Sequence, residues 1–357
     1  MNFMSTCGHS DSRKTSYTPA RALGIAAIAV ITGILSLTAQ AQQSAPLTLS
    51  RSISLIGVQG KFDHLAIDIT GNRLFIAATG NHSVEAIDLK TDKVEQSIAG
   101  LGKPHGLAWV EATGSLYVAD GTLGELRVYK GTPLALAGKI KLSDDADDMV
   151  YDDANHLLFV GHGGSDAANP ARIAVVDTER FSLNENFSVA THPEALDIDP
   201  QSRPVFANIA ESNEVAVIGT GTKAITSHWK LIRAADNVPL AFDGEHQLLY
   251  VACRTPGTLI ALDAATGKEV ASLSAADGAD DQFYDPALRR VYLIGGAGEV
   301  DSYQVDEAKV LHPLGAVHTA AGAKTALFVP VQGLLYVGVP GAGGHPAELR
   351  AYSTNTH

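Results

Sequence analysis

The chain has 357 residues, 45% of them hydrophobic and 18% charged, a balance that belongs to a globular protein and excludes a disordered one. Its 39 acidic residues against 26 basic ones give a net charge of −13, which argues against a nucleic-acid partner, because such partners select basic surfaces.

The first element is a leader. Arg13, Lys14 and Arg21 precede the apolar run "ALGIAAIAVITGILSL", and "TAQAQ" follows it with Ala39 and Ala41 as the small residues of a cleavage site. The run is short for a membrane span. The expectation is a secretory signal peptide over 1–41 and one domain over 42–357, exported to the periplasm or secreted, with no membrane span after cleavage. Cleavage removes three basic residues and Asp11, so the charge moves from −13 to −15. It also removes Cys7 and leaves Cys253 without a partner for an intrachain disulfide, so stability must come from packing.

Next comes an orphan apolar strand, "SISLIGV" at 52–58, and then a repeat. Seven strings share one pattern: "RLFIAA", "SLYVAD", "LLFVGH", "PVFANI", "LLYVAC", "RVYLIG" and "LLYVGV". Their third residues are Phe75, Tyr117, Phe159, Phe206, Tyr250, Tyr292 and Tyr336, separated by 42, 42, 47, 44, 42 and 44 residues. An apolar strand precedes each string and another follows it; a further strand closes six of the copies. Turn sequences such as "TGN" and "AATGK" lie between. Seven units of four strands predict an all-β, seven-bladed β-propeller. The seventh unit lacks its fourth strand, and the orphan strand at 52–58 can supply it, closing the last blade and covering an open edge.

With "HGLAW", "HPEALDID", "NIAESNEVAVIG" and "GADDQFYD" in these units, the chain over 52–354 resembles the YVTN-type repeat propellers of secreted bacterial proteins. The resemblance implies the fold and an extracytoplasmic setting. It says little of function, because propellers host enzymes, ligand binders and scaffolds. The seventh copy departs from the pattern, with "AKTALFVP" where an Asp usually ends the first strand.

In a propeller blade the first strand lines the central channel and the second runs antiparallel to it, so the start of one and the end of the other share a face. Counting back twelve and eleven residues from each aromatic gives first-strand entrances at Asp63 with His64, His105, Asp147 with Asp148, Glu194, Asp280 with Asp281, and Lys324. Second-strand ends add Asp120, His162, Asn208 and Arg254. Together they predict a polar ring at one mouth of the channel. Such a ring is either solvated or a site for a small ligand or metal. His64, His105, His162, Asp148 and Glu194 offer the imidazole and carboxylate donors that a divalent metal takes. Arg254 and Lys324 could grip an anionic group. On the opposite face, Asp68, Asp152, Asp199, Asp243 and Asp285 sit beside Gly, Asn or Pro and read as turn formers.

The functional expectation is a monomeric binding module for a small molecule or a periplasmic protein. The alternative is a metal-assisted lactonase, hydrolase or lyase using the same ring. No nucleophile–base–orienter set emerges from spacing, so no catalytic residue is assigned. A haem is disfavoured by the lack of a C-x-x-C-H motif.

Overall fold

The computed structural model describes residue 16 and residues 45–354 other than 165, 203, 220, 222 and 223. The leader expected over 1–41 therefore lies outside the described residues, residue 16 apart. No helix among the described residues is long and apolar enough to cross a membrane.

The described residues form seven four-stranded antiparallel sheets, the blades of a β-propeller. The first is built from Leu65–Asp68, Arg73–Ala78, Ser83–Asp88 and Lys93–Ile98, hydrogen-bonded in chain order. Five more blades repeat this order. The seventh is closed from the other end of the chain: Leu47–Leu55 pairs antiparallel with Ala347–Thr354, which pairs with Leu334–Val339. The closing strand is thus longer than the one predicted at 52–58 and begins earlier, at Leu47.

Burial explains the period. All seven repeat aromatics, from Phe75 to Tyr336, are at most 1% exposed. A second strand has both faces covered by neighbouring blades, so its residues read as a continuous apolar run rather than an alternation. Each core cluster lies between two blades. Leu74 and Ile76 of the first blade, for example, pack with Tyr336, Leu349 and Ile53 of the seventh. The opposite-face aspartates cap turns, as the sequence implies: Asp68 accepts from Gly71 N at 2.6 Å, and Asp243 from Glu245 N and His246 N at 3.0 Å each.

Candidate functional site

Adjacent residues of a regular strand point to opposite sides. The first-strand entrances break that rule. Asp63 N donates to Ala77 O at 2.9 Å, while Ala77 N donates to His64 O at 3.1 Å, so two residues oppose one. Asp147 and Asp148 straddle Gly161 in the same way, at 2.9 and 3.0 Å. These are β-bulges, which re-aim side chains. The ladders of the second, fourth and fifth blades also shift register at this point. As a result Asp63 with His64, Asp147 with Asp148, and Glu194 with Ala195 all line one cavity of about 140 Å³ in the mouth. His105, Arg254, Asp280, Lys324, Lys61 and Val238 complete its wall. Gly106 lets the second and third blades approach here, because a Cβ on it would run into the carbonyl of Asp147.

The tightest group in this wall is Asp63, His105 and Asp147, whose ligand atoms all lie within 4.8 Å of one another. His105 Nδ1 is 2.9 Å from Asp147 Oδ2 and 3.8 Å from Asp63 Oδ2. His105 is only 4% exposed, yet neither ring nitrogen makes a well-directed hydrogen bond. Metal–ligand bonds of about 2.0–2.2 Å put neighbouring donors roughly 3.0–3.5 Å apart, so a divalent ion fits this triad with small side-chain shifts.

Two further imidazoles flank it. His64 Nδ1 lies 3.3 Å from Asp281 and 4.0 Å from Asp148, and Nε2 lies 3.6 Å from Asp63 and 3.8 Å from Asp147. Burial opposes its charge, but Asp148 and Asp281 outweigh burial and hold the imidazole well above its ordinary range. His192 donates from Nδ1 to Gly163 O at 2.6 Å and turns Nε2 towards Asp147 at 3.7 Å. Burial again opposes its charge, and Asp147 overrides it to bring the imidazole up to about 9. Among the carboxylates, burial and then the Asp147 charge raise Asp63. Burial would raise Asp147 too, but its contacts with His105 and His192 hold it well below the usual range.

Cations occupy the other side. Asp280 is bracketed by the Arg254 guanidinium and the Lys324 ammonium, and Arg254 Nε also donates to Ala279 O at 2.9 Å. Of the polar mouth residues, Asp148 and Asp281 have a further duty. Asp148 accepts from Leu196 N at 2.8 Å and Asp281 from Ala326 N at 2.6 Å, each tying its first strand to that of the next blade. Asp197 makes the same tie to Phe242 N at 2.8 Å. Burial pushes both Asp148 and Asp197 up to about 6.

The second-strand ends behave differently. Of the four that sequence spacing adds to the ring, only Arg254 lines the cavity. Asp120 accepts from Gly102 N at 2.8 Å, Lys103 N at 3.0 Å and Leu123 N at 3.2 Å, which spends its carboxylate on backbone. His162 accepts at Nδ1 from Ser143 N at 3.1 Å, and Nε2 donates to Asn186 Oδ1 at 3.0 Å. Burial brings this imidazole down to about 4, so it is neutral with both nitrogens engaged, which leaves no lone pair for a metal. Asn208 donates to Val238 O at 2.9 Å and Pro239 O at 3.1 Å, and accepts from Asn237 Nδ2 at 2.9 Å. Cys253 is buried, and burial lifts its thiol to about 12, which suits a packing role.

Sequence spacing misses His192 and Asp197. His192 lies fourteen residues before Phe206, outside the count of eleven and twelve, and the register shift between Pro193 and Leu196 carries it to the mouth. Its signal is the "HPE" triplet, two residues before Glu194.

No protein-family profile matches the chain, and no curated protein sequence matches it. Solved structures share the fold at low identity. A chain in the crystal structure of the mitotic checkpoint complex superimposes with a TM-score of 0.73 at 12% identity, covering 97% of this chain and 99% of its own. The RRP9 WD40 repeats give 0.73 at 11% identity, over 87% of this chain and 99% of theirs. Hydrazine synthase of Kuenenia stuttgartiensis gives 0.68 at 17% identity, over 80% of this chain and 95% of its own. These likenesses show a β-propeller fold, one that the RRP9 WD40 repeats share.

Proposed function

We propose that this chain is a binding module that holds a divalent cation at one mouth of its channel through Asp63, His105 and Asp147, and presents that ion to a small ligand or a protein partner. The observation that carries the reading is His105. It is buried, neither ring nitrogen makes a well-directed hydrogen bond, and Nδ1 faces two carboxylate oxygens, the mixed donor set that a divalent ion takes. The five carboxylates on the cavity wall outnumber Lys61, Arg254, Lys324 and the charged His64, which also favours a cation there.

Calorimetric titration of the metal-free protein with Mn²⁺ or Zn²⁺ tests it. One ion per chain is expected, with affinity reduced at least about 100-fold in His105→Ala, more than the loss typical of outer-shell changes. Wild-type protein that binds neither ion would leave the ring a solvated channel mouth.

Metal-assisted lactonase, hydrolase or lyase chemistry is a second reading of the same cavity. Glu194 supports it: burial raises this carboxyl, and it lines the cavity outside the triad, where a general base could face the open positions of the ion. Turnover of a lactone panel that vanishes in Glu194→Gln with metal binding intact would favour it. The leader-like sequence over 1–41 supports export to the periplasm, for which an N-terminus near Gln42 on protein recovered from the host is the test. Occurrence of this fold in an assembly such as the mitotic checkpoint complex supports a docking role beside the ion.

A further inference from the structure

The mouth has two poles. One is the Asp63–His105–Asp147 triad; the other is the Arg254 and Lys324 pair around Asp280, on the wall of the same cavity. The ion-binding reading gives the first pole a purpose and leaves the second without one. The second pole is not spent. A guanidinium carries five N–H donors and an ammonium three, and the contacts to Asp280 and Ala279 use only part of each set. Both side chains remain partly open, at 27% and 33% exposure. Arg254 and Lys324 also feel the Glu194 carboxylate on the same wall, so what they offer a ligand is spare N–H donors rather than a net charge. A metal ion held by two carboxylates and a neutral imidazole is close to neutral and still lacks ligands. Oxygen donors carrying one negative charge would satisfy both poles.

We infer that the ligand of this mouth is a small carboxylate, which bridges the bound ion to Arg254 and Lys324. The inference rests on the ion-binding reading above. Size is consistent with the cavity: about 140 Å³ admits a short hydroxy acid or dicarboxylate. Order of binding follows from charge. Without the ion, Asp63 and Asp147 face the space the acid would enter and disfavour an anion beside them. Ion binding removes that repulsion. Linkage then requires the carboxylate to tighten the ion by the same factor by which the ion tightens the carboxylate.

The test titrates glycolate, lactate and malonate into the full chain with and without Mn²⁺, with propane-1,2-diol as the neutral counterpart of lactate. At least one of the acids is expected to bind the Mn²⁺-loaded protein at least about tenfold more tightly than the metal-free protein, and the diol to bind neither form. Lys324→Met and Arg254→Gln should each weaken the acid at least about tenfold, the scale of a lost charge-assisted hydrogen bond, while Mn²⁺ affinity in the absence of acid is kept or increased, because each removes a positive charge from the wall. Lys324→Met is the safer variant, because Arg254 also supports the backbone at Ala279. Protein that takes Mn²⁺ but none of the acids overturns the inference and leaves the ion site standing. Acid binding that is indifferent to both substitutions, or equally tight without Mn²⁺, overturns the bridge. Protein that takes no Mn²⁺ removes the ion site and this inference together, and the direct metal titration reports that case separately.

Discussion

Two sets of residues of similar type lie towards the same end of the propeller and do opposite work. The first-strand entrances Asp63, His105, Asp147 and Glu194 turn into the mouth and line its cavity. The second-strand ends Asp120, His162 and Asn208 turn into the protein and spend their polar atoms on backbone and on one another's neighbours. The difference lies in what each strand packs against. A second strand is covered on both faces, so a side chain at its end meets protein: Asp120 and His162 bind the entry segments of their own blades, and Asn208 binds the first strand of the next. A first strand is the inner edge of its blade, and a bulge there turns consecutive side chains to the channel. Polar residues at one set bind backbone and neighbouring side chains; at the other they crowd charged groups around one cavity.

The stabilising role of the second-strand ends is clearest at Asn208. Its amide meets two carbonyls of the next blade and the Asn237 side chain in a fully buried setting. Asn208→Ala is expected to cost about 3–5 kcal/mol, from unsatisfied buried groups and the small void left behind, with metal affinity unchanged in the protein that remains folded. Denaturant titration beside metal calorimetry reads both numbers. A variant of wild-type stability would place Asn208 outside the inter-blade lock.

Acid sharpens the contrast. His162 is brought from an ordinary 6.5 down to about 4 in the folded chain. Between those values the unfolded chain binds more protons, so stability rises with pH and is lost as pH falls from about 6.5 to about 4. The full effect is about 3 kcal/mol at about 1.4 kcal/mol per pH unit. Relative to His162→Gln, wild type should therefore weaken across that window. Parallel stability curves for the two proteins would mean that His162 is free to protonate in the fold.

Asp197 should show the opposite slope. Burial lifts its carboxyl from 3.8 to about 6, so between those values the folded chain holds the extra proton. Stability then falls as pH rises from about 4 to about 6. The effect is on the order of 1–3 kcal/mol, at about 1.4 kcal/mol per pH unit. Asp197→Asn keeps an acceptor for Phe242 N, and its stability should be flatter than wild type over the same range. A wild-type curve that rises through this window relative to the Asn variant would contradict the assignment.

The blade count was legible in sequence because seven buried aromatics recur at nearly constant spacing, and because one unit short of a strand at one end matched a spare strand at the other. The first-strand pairs were legible too, since charge at the start of an apolar strand stands out at Asp63 with His64 and at Asp147 with Asp148. What spacing could not carry is direction. Nothing in "SLYVAD", "LLFVGH" or "PVFANI" tells whether the terminal Asp120, His162 or the near-terminal Asn208 faces water or a neighbouring blade's unpaired backbone. Nor does a fixed count survive a register shift, which is how His192 reaches Asp147 unannounced. Asp197 was hidden because "EALDID" reads as ordinary strand alternation, and its partner Phe242 N is 45 residues away.

The division of labour is tested most directly by pulsed electron paramagnetic resonance of the Mn²⁺-loaded protein, which detects the nitrogen of a coordinated imidazole. Nitrogen modulation is expected in wild type and in His162→Gln, and its loss in His105→Ala. Modulation that survives His105→Ala, or that disappears in a folded His162→Gln, would contradict it.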